Sequence, residues 1–172
     1  PNNQYTSKQI EIMYRKRQNK IETYLHKTSR QLVNQLVSKG VGTLVIGYNP
    51  GWKQDINLGK VSNQNFVQVP FLTLVKQLKY KCELEGIEVV IQEESYTSKC
   101  SFLDLEQVKK HDVYVGKRVH RGLFKSSSGR LLNADVNGSL NILHKYLGEG
   151  IVNYYGQLVS NINNVKKVTY NH

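Results

Sequence analysis

"IEVVIQEE", residues 87–94, decides the fold. The run passes from β-branched residues into two acids, the pattern of a buried strand leaving the core at its carboxyl end. Just before it, "VPFLTLVKQLKYKCELEG" predicts a helix. Pro70 suits its first turn, Phe71, Leu74, Val75, Leu78 and Cys82 line one face, and Gly86 stops it. Further upstream, "TLVIGYN", residues 43–49, predicts another buried strand, and the polar loop "NPGWKQDINLGKVSNQN" follows. Strand, helix and strand make a βαβ unit over residues 42–94, with parallel strands and a right-handed crossover. The fold class is therefore α/β.

Outward from that unit, residues 5–38 read as one long or two shorter helices. Ile10, Met13, Ile21, Leu25, Leu32 and Leu36 form a loose stripe there, and Gly40 and Gly42 close it. Residues 95–132 are irregular and basic. Residues 133–148 predict a C-terminal helix with Val136, Leu140, Leu143 and Leu147 on one stripe and Gly148 at its end. Residues 1–150 form one domain on this reading, and 151–172 a polar, Asn- and Tyr-containing tail.

Lys and Arg number 24 against 13 Asp and Glu in 172 residues, a net charge of +11. Such an excess points to a polyanionic partner, nucleic acid ahead of an anionic membrane, although an ordinary basic protein carries it too. In "YRKRQNKIETYLHKTSR", Arg15, Lys16, Arg17, Lys20, Lys27 and Arg30 surround the helical stripe, either as a solvated face or as phosphate contacts. Two lone cysteines, Cys82 and Cys100, indicate a cytosolic chain without a disulfide framework. With His26, His111, His120, His144 and His172 they lack finger-like spacing, so no zinc is expected. No apolar run reaches the roughly 18 residues of a membrane span, and the polar start carries no signal peptide. A chain beginning at Pro1 rather than Met is expected to be a fragment or a processed product.

Strand alternation sends Val89, Ile91 and Glu93 to one face and Val90, Gln92 and Glu94 to the other. Carboxyl ends of parallel strands are where α/β sites are built. Asp135, in "RLLNADVNGSLNIL", has two readings: an N-cap that satisfies free backbone N–H groups, or a ligand. A carboxylate at a strand end and another at the start of a helix on the same sheet suit Mg²⁺, a hard cation. Two such ions about 4 Å apart activate a water and stabilise the leaving oxygen of a phosphodiester.

These residues also resemble a known family. "EESYTSKCSFLD" followed by "NADVNGSLNIL", together with "GTLVIGYNPGWKQ", "NQNFVQVPF" and "LKYKCELEGIEV" in the same order, resembles the C-terminal half of TnpB/OrfB proteins. These are insertion-sequence proteins long described as transposases. The resemblance implies a RuvC-like domain of the RNase H fold, partial here, that works with a guide RNA to cut DNA. It also implies a bacterial cytoplasmic protein at the nucleoid. Three acids would hold Mg²⁺ or Mn²⁺. The last lies in a D-x-N-x-x-x-N-I motif, which carries over to Asp135 with Asn137 beside it.

The chain departs from the family in three places. The first family Asp, upstream of the long helix, has no match, so the chain resembles a member without its front portion, inactive or weakly active alone. The usual glutamate falls on Gly47, and some branches instead carry the acid on the next strand, here Glu94 with Glu93 as runner-up. Adjacent strands lie only about 4.8 Å apart, which keeps a relocated carboxylate within reach; the rival is a non-cutting nucleic-acid binder. Finally, "CSFLDLEQVKKHDVYVGKRVHRGLFKSSSGR" replaces a four-cysteine zinc ribbon. Its Lys99, Arg118, Arg121, Lys125 and Arg130, among others, suit DNA or guide RNA, and "GKRVHRGLF" reads as a hairpin. Tyr114 and Phe124 either stack on bases or form the insert's small core. A truncated sheet exposes a strand edge, which favours a homodimer. Charge alone also fits a structural RNA binder of ribosomal type.

Overall fold

The computed structural model describes residues 7–49 and 70–162, so the polar loop and the end of the tail lie outside the described residues. Helix α1 spans Lys8–Ser38 in one piece, its first turn capped by the Ser7 side chain, which accepts from the Ile10 N–H. Strand β1 covers Thr43–Gly47, helix α2 Phe71–Leu84 and strand β2 Glu88–Gln92. Gly42 O accepts from Glu88 N, and Gln92 O from Tyr48 N, both at 2.9 Å. Partner numbers rise together along both strands, so the pair is parallel, as the βαβ reading requires.

The described residues divide into two compact units, 7–44 with 70–89 and 45–49 with 90–162. In the first, α1 lies against α2 over a core of Leu25, Val33, Leu78, Cys82 and Ile87. The buried stripe of α1 is Leu25, Ser29 and Val33, at i, i+4 and i+8, and Ile10 and Met13 are exposed. The predicted stripe was therefore drawn on apolar residues of which two stand in solvent. On α2, Gln77 and Lys81 are buried beside Leu78 and Cys82. Lys81 Nζ donates to Ser29 Oγ at 2.6 Å and to the His26 carbonyl at 2.8 Å, while Ser29 Oγ donates to Gln77 Oε1 at 3.1 Å. Burial, then the charge of Arg30, lowers the Lys81 pKa.

In the second unit, a 3₁₀ turn at Phe102–Asp104 precedes an antiparallel sheet of β3 (Lys117–His120), β4 (Leu123–Lys125) and β5 (Leu131–Asn133). The predicted hairpin is thus β3 and β4, with Arg118 opposite Phe124 and a bulge before His120. Helix α3 covers Ala134–Leu147, a 3₁₀ turn Gly148–Ile151, and helix α4 Val152–Asn161. Leu103, Phe124, Leu132 and Ala134 form the core, with Val159 and Ile162 packed on it. Phe124 is accordingly a core residue. A Cβ on Gly116 would fall 2.5 Å from its ring, which fixes glycine there. The stretch read as a tail supplies α4, anchored by Tyr155 Oη donating to the Leu103 carbonyl at 2.5 Å. No helix of the described residues is long and apolar enough to cross a membrane.

Candidate metal and nucleic-acid site

The N-cap of α3 is Asn133, not Asp135, for which the sequence offers that reading. Its Oδ1 accepts from Asp135 N at 2.8 Å and from Val136 N at 3.1 Å. Asp135 is left on the first turn, exposed, and its carboxylate accepts no hydrogen bond from the described residues. The face that α3 buries is also unlike the predicted one. Ala134, Asn137 and Asn141 are buried, and Val136, Leu140, Leu143 and Leu147 are only half-buried.

The sequence reading placed Asn137 beside Asp135 in the motif but missed the structural part that it and Asn141 play. Asn137 Nδ2 donates to the Cys100 carbonyl at 2.8 Å, and its Oδ1 accepts from Phe102 N at 3.0 Å. Asn141 Nδ2 donates to the carbonyls of Thr97 and Cys100 at 2.8 and 2.7 Å. Thr97 Oγ1 in turn donates to the Glu94 carbonyl at 2.7 Å. The helix that carries Asp135 therefore holds the turn that carries Glu94, through buried side chains whose amide nitrogens are paired, while Asn141 Oδ1 has no partner among the described residues. The signal was present: asparagines at i and i+4 share a helix face, and buried asparagines must find backbone partners.

Glu93 and Glu94 are adjacent and end differently. Glu93 forms an ion pair with Lys145 and accepts from Ser95 N at 2.6 Å. The Lys145 hydrogen bond, more than any other contact, brings its pKa down to about 2. Glu94 is half-buried, and its carboxylate, like that of Asp135, accepts no hydrogen bond from the described residues. Both line a cleft of about 440 Å³ whose other walls include Asn49, Ser95, Arg118 and Ile142. Glu93 does not line it.

A Cβ built on Gly47 would lie 2.8 Å from Glu94 Oε2 and 2.4 Å from Ile142 Cδ1. The Glu94 carboxylate thus fills the space in which a side chain at 47 would begin. Two carboxylates that line one cleft, with lone pairs not spent on the described residues, are oxygen donors of the kind a hard divalent cation takes.

Of the basic residues, Arg118 lines the cleft, and with Lys99, Tyr114 and Phe124 it also lines a contiguous hollow of about 350 Å³. Lys99 Nζ stands 5.8 Å from the centre of the Tyr114 ring. Arg121, in the β3–β4 turn, Lys125 at the end of β4 and Arg130 before β5 are all exposed. Arg15 and Arg17 are exposed on α1, in the other unit.

Comparison with known proteins follows the same line. The family described as "Cas12f1-like, TNB domain" matches residues 71–142. The TnpB-like protein ORF457 of Acidianus two-tailed virus is 32% identical over 120 residues, 68% of this chain and 23% of that protein. The chain thus spans about a quarter of the length of that curated relative. A cryo-EM structure of a Cas12f1–sgRNA–target DNA complex aligns with a TM-score of 0.60 at 18% identity, over 78% of this chain and 36% of that one. At that identity the likeness establishes the fold, an α/β fold of the RuvC-like, RNase H-like class.

Proposed function

Because the chain belongs to the TnpB/OrfB type, with a Cas12f1-like TNB domain over residues 71–142, we propose that it is the metal-binding part of an RNA-guided DNA endonuclease. Glu94 and Asp135 would hold the divalent ion, Mg²⁺ or Mn²⁺. Bound there, the ion supplies charge stabilisation for phosphodiester hydrolysis. Arg118, facing the same cleft, binds the phosphate of the strand to be cut, and Lys99 binds the next one along the contiguous hollow. Arg121, Lys125 and Arg130 extend that track for DNA or guide RNA, and Arg15 and Arg17 offer a further phosphate-binding face.

One observation supports this reading above the others. By the resemblance the family glutamate falls on Gly47, and the carboxylate of Glu94 reaches the space that a side chain at 47 would occupy. On this reading the acid has moved along the chain and kept its place beside Gly47. Glu93, held by Lys145, is the weaker candidate ligand.

The test is metal-dependent cleavage of guide-matched DNA by the ribonucleoprotein purified from the reading frame that carries this chain. Glu94→Gln and Asp135→Asn are each expected to lower the rate roughly a hundredfold or more, and Glu93→Gln less than tenfold. Cleavage unaffected by Glu94→Gln overturns the assignment. No cleavage by the wild type, with nucleic acid still bound, makes the protein a silent binder.

A further inference from the structure

A second group of potential ligands lies in the basic insert, apart from Glu94 and Asp135. Cys100, Glu106 and His111 place a thiol, a carboxylate and an imidazole so that one ligand atom of each lies within 4.8 Å of the other two. We propose that this cluster binds a zinc-class divalent cation that closes the loop between residues 100 and 115. The proposal does not depend on the nuclease reading.

The donor atoms are already aimed. Cys100 Sγ lies 3.6 Å from the Gln107 carbonyl, and His111 Nε2 lies 2.7 Å from the same oxygen. Thiol and imidazole thus converge on one point. Glu106 accepts from Ser101 N at 2.7 Å and from Val115 N at 3.0 Å, one bond to each oxygen. Those bonds orient the carboxylate and leave it lone pairs for a metal, as supporting hydrogen bonds do around known ligands.

Charge supplies the independent reason. Glu106 is 7% exposed, and among the described residues no Lys, Arg or His forms an ion pair with it. A buried carboxylate without a counter-charge is costly. A divalent cation resolves the imbalance: on binding, the Cys100 S–H bond breaks, the proton leaves to solvent, and thiolate plus carboxylate neutralise the ion. Neutral His111 contributes a lone pair, and the Gln107 carbonyl or a water completes four ligands. Sulfur, nitrogen and a carboxylate oxygen select zinc over magnesium or calcium. The absence of finger-like spacing, which argued against zinc in the sequence, does not bear on ligands that the loop itself folds together.

The experiment is titration of the metal-stripped chain with Co²⁺ and with Zn²⁺. The wild type is expected to take up one Co²⁺ with a thiolate-to-cobalt charge-transfer band, and Zn²⁺ to displace it. His111→Gln, at a half-buried position, is expected to weaken binding on the order of a hundredfold or more. Zn²⁺ is also expected to protect Cys100 from alkylation in the wild type and not in His111→Gln, with Cys82 as internal reference. Cys100→Ser is expected to abolish the band, and the alkylation readout serves if that variant fails to fold. Absence of the cobalt band, or a band and protection unchanged in His111→Gln, overturns the site.

Discussion

Two polar clusters in this molecule differ in what their groups have left to give. Between α1 and α2, the Lys81 ammonium is spent on Ser29 and the His26 carbonyl, and Ser29 on Gln77. In the cleft of the second unit, Glu94 and Asp135 face the same space, and neither carboxylate accepts a hydrogen bond from the described residues. Folding drives polar groups toward satisfaction, because a buried group left unpaired costs free energy. A saturated cluster is therefore part of the scaffold, and an unsaturated one in a cleft is available to a ligand. Glu93 and Glu94 repeat the contrast one residue apart.

Five substitutions sharpen or break that distinction. Asn137→Ala is expected to have the largest effect on stability, because it strips a buried N–H at Phe102 and weakens the hold on the Cys100 carbonyl. Urea unfolding should show a loss of about 2–4 kcal/mol; a loss below about 1 kcal/mol would mean that the loop is held otherwise. Ser29→Ala removes one of two acceptors from Lys81 and is expected to cost about 1–2 kcal/mol in the same assay. A neutral result would place Ser29 among the unspent groups. Glu93→Gln breaks an exposed ion pair and is expected to cost at most about 1 kcal/mol at neutral pH.

The pH dependence of that third variant has a definite sign. Lys145 holds the Glu93 pKa down at about 2, against an ordinary value of 4.5. The contribution of the pair is complete above the ordinary value and disappears as pH falls through the window toward 2. Unfolding curves of wild type and Glu93→Gln should therefore converge in acid; a constant gap would rule out the ion pair as its source. The smallest effect belongs to Glu94→Gln and Asp135→Asn, each within about 0.5 kcal/mol of wild type without metal. A larger loss in either would show a carboxylate engaged in the fold.

The chain's periodicities made much of this legible. The βαβ unit, the long helix, the hairpin in the insert and the helix of Asp135 all follow from strand-like runs, helical stripes and glycine stops. Alternation was read through Glu93 and Glu94, but β2 ends at Gln92, and the two side chains part beyond the strand, one to Lys145 and the other to the cleft. The buried faces of α1 and α3 were misread for a physical reason. Apolar residues were assumed to lie inside, whereas Ser29, Asn137 and Asn141 are buried because each meets a partner that no local pattern discloses. Helix α4 was missed because its Asn and Tyr content reads as polar, although half-buried Tyr155 sets its ring against Phe102 and gives its hydroxyl to the Leu103 carbonyl. Cys100, Glu106 and His111 match no ligand spacing. An irregular loop brings them together, and only the fold reveals it.

The account turns on whether the strand-end glutamate and the helix-start aspartate act as one ligand pair, and Mn²⁺ titration of the intact chain, followed by the loss of the free-ion EPR signal, asks that directly. The prediction is that the wild type binds Mn²⁺, that Glu94→Gln and Asp135→Asn each weaken binding by about tenfold or more, and that Glu93→Gln leaves it unchanged. Equal binding by all four proteins would contradict the claim and leave the cleft as a surface for nucleic acid alone.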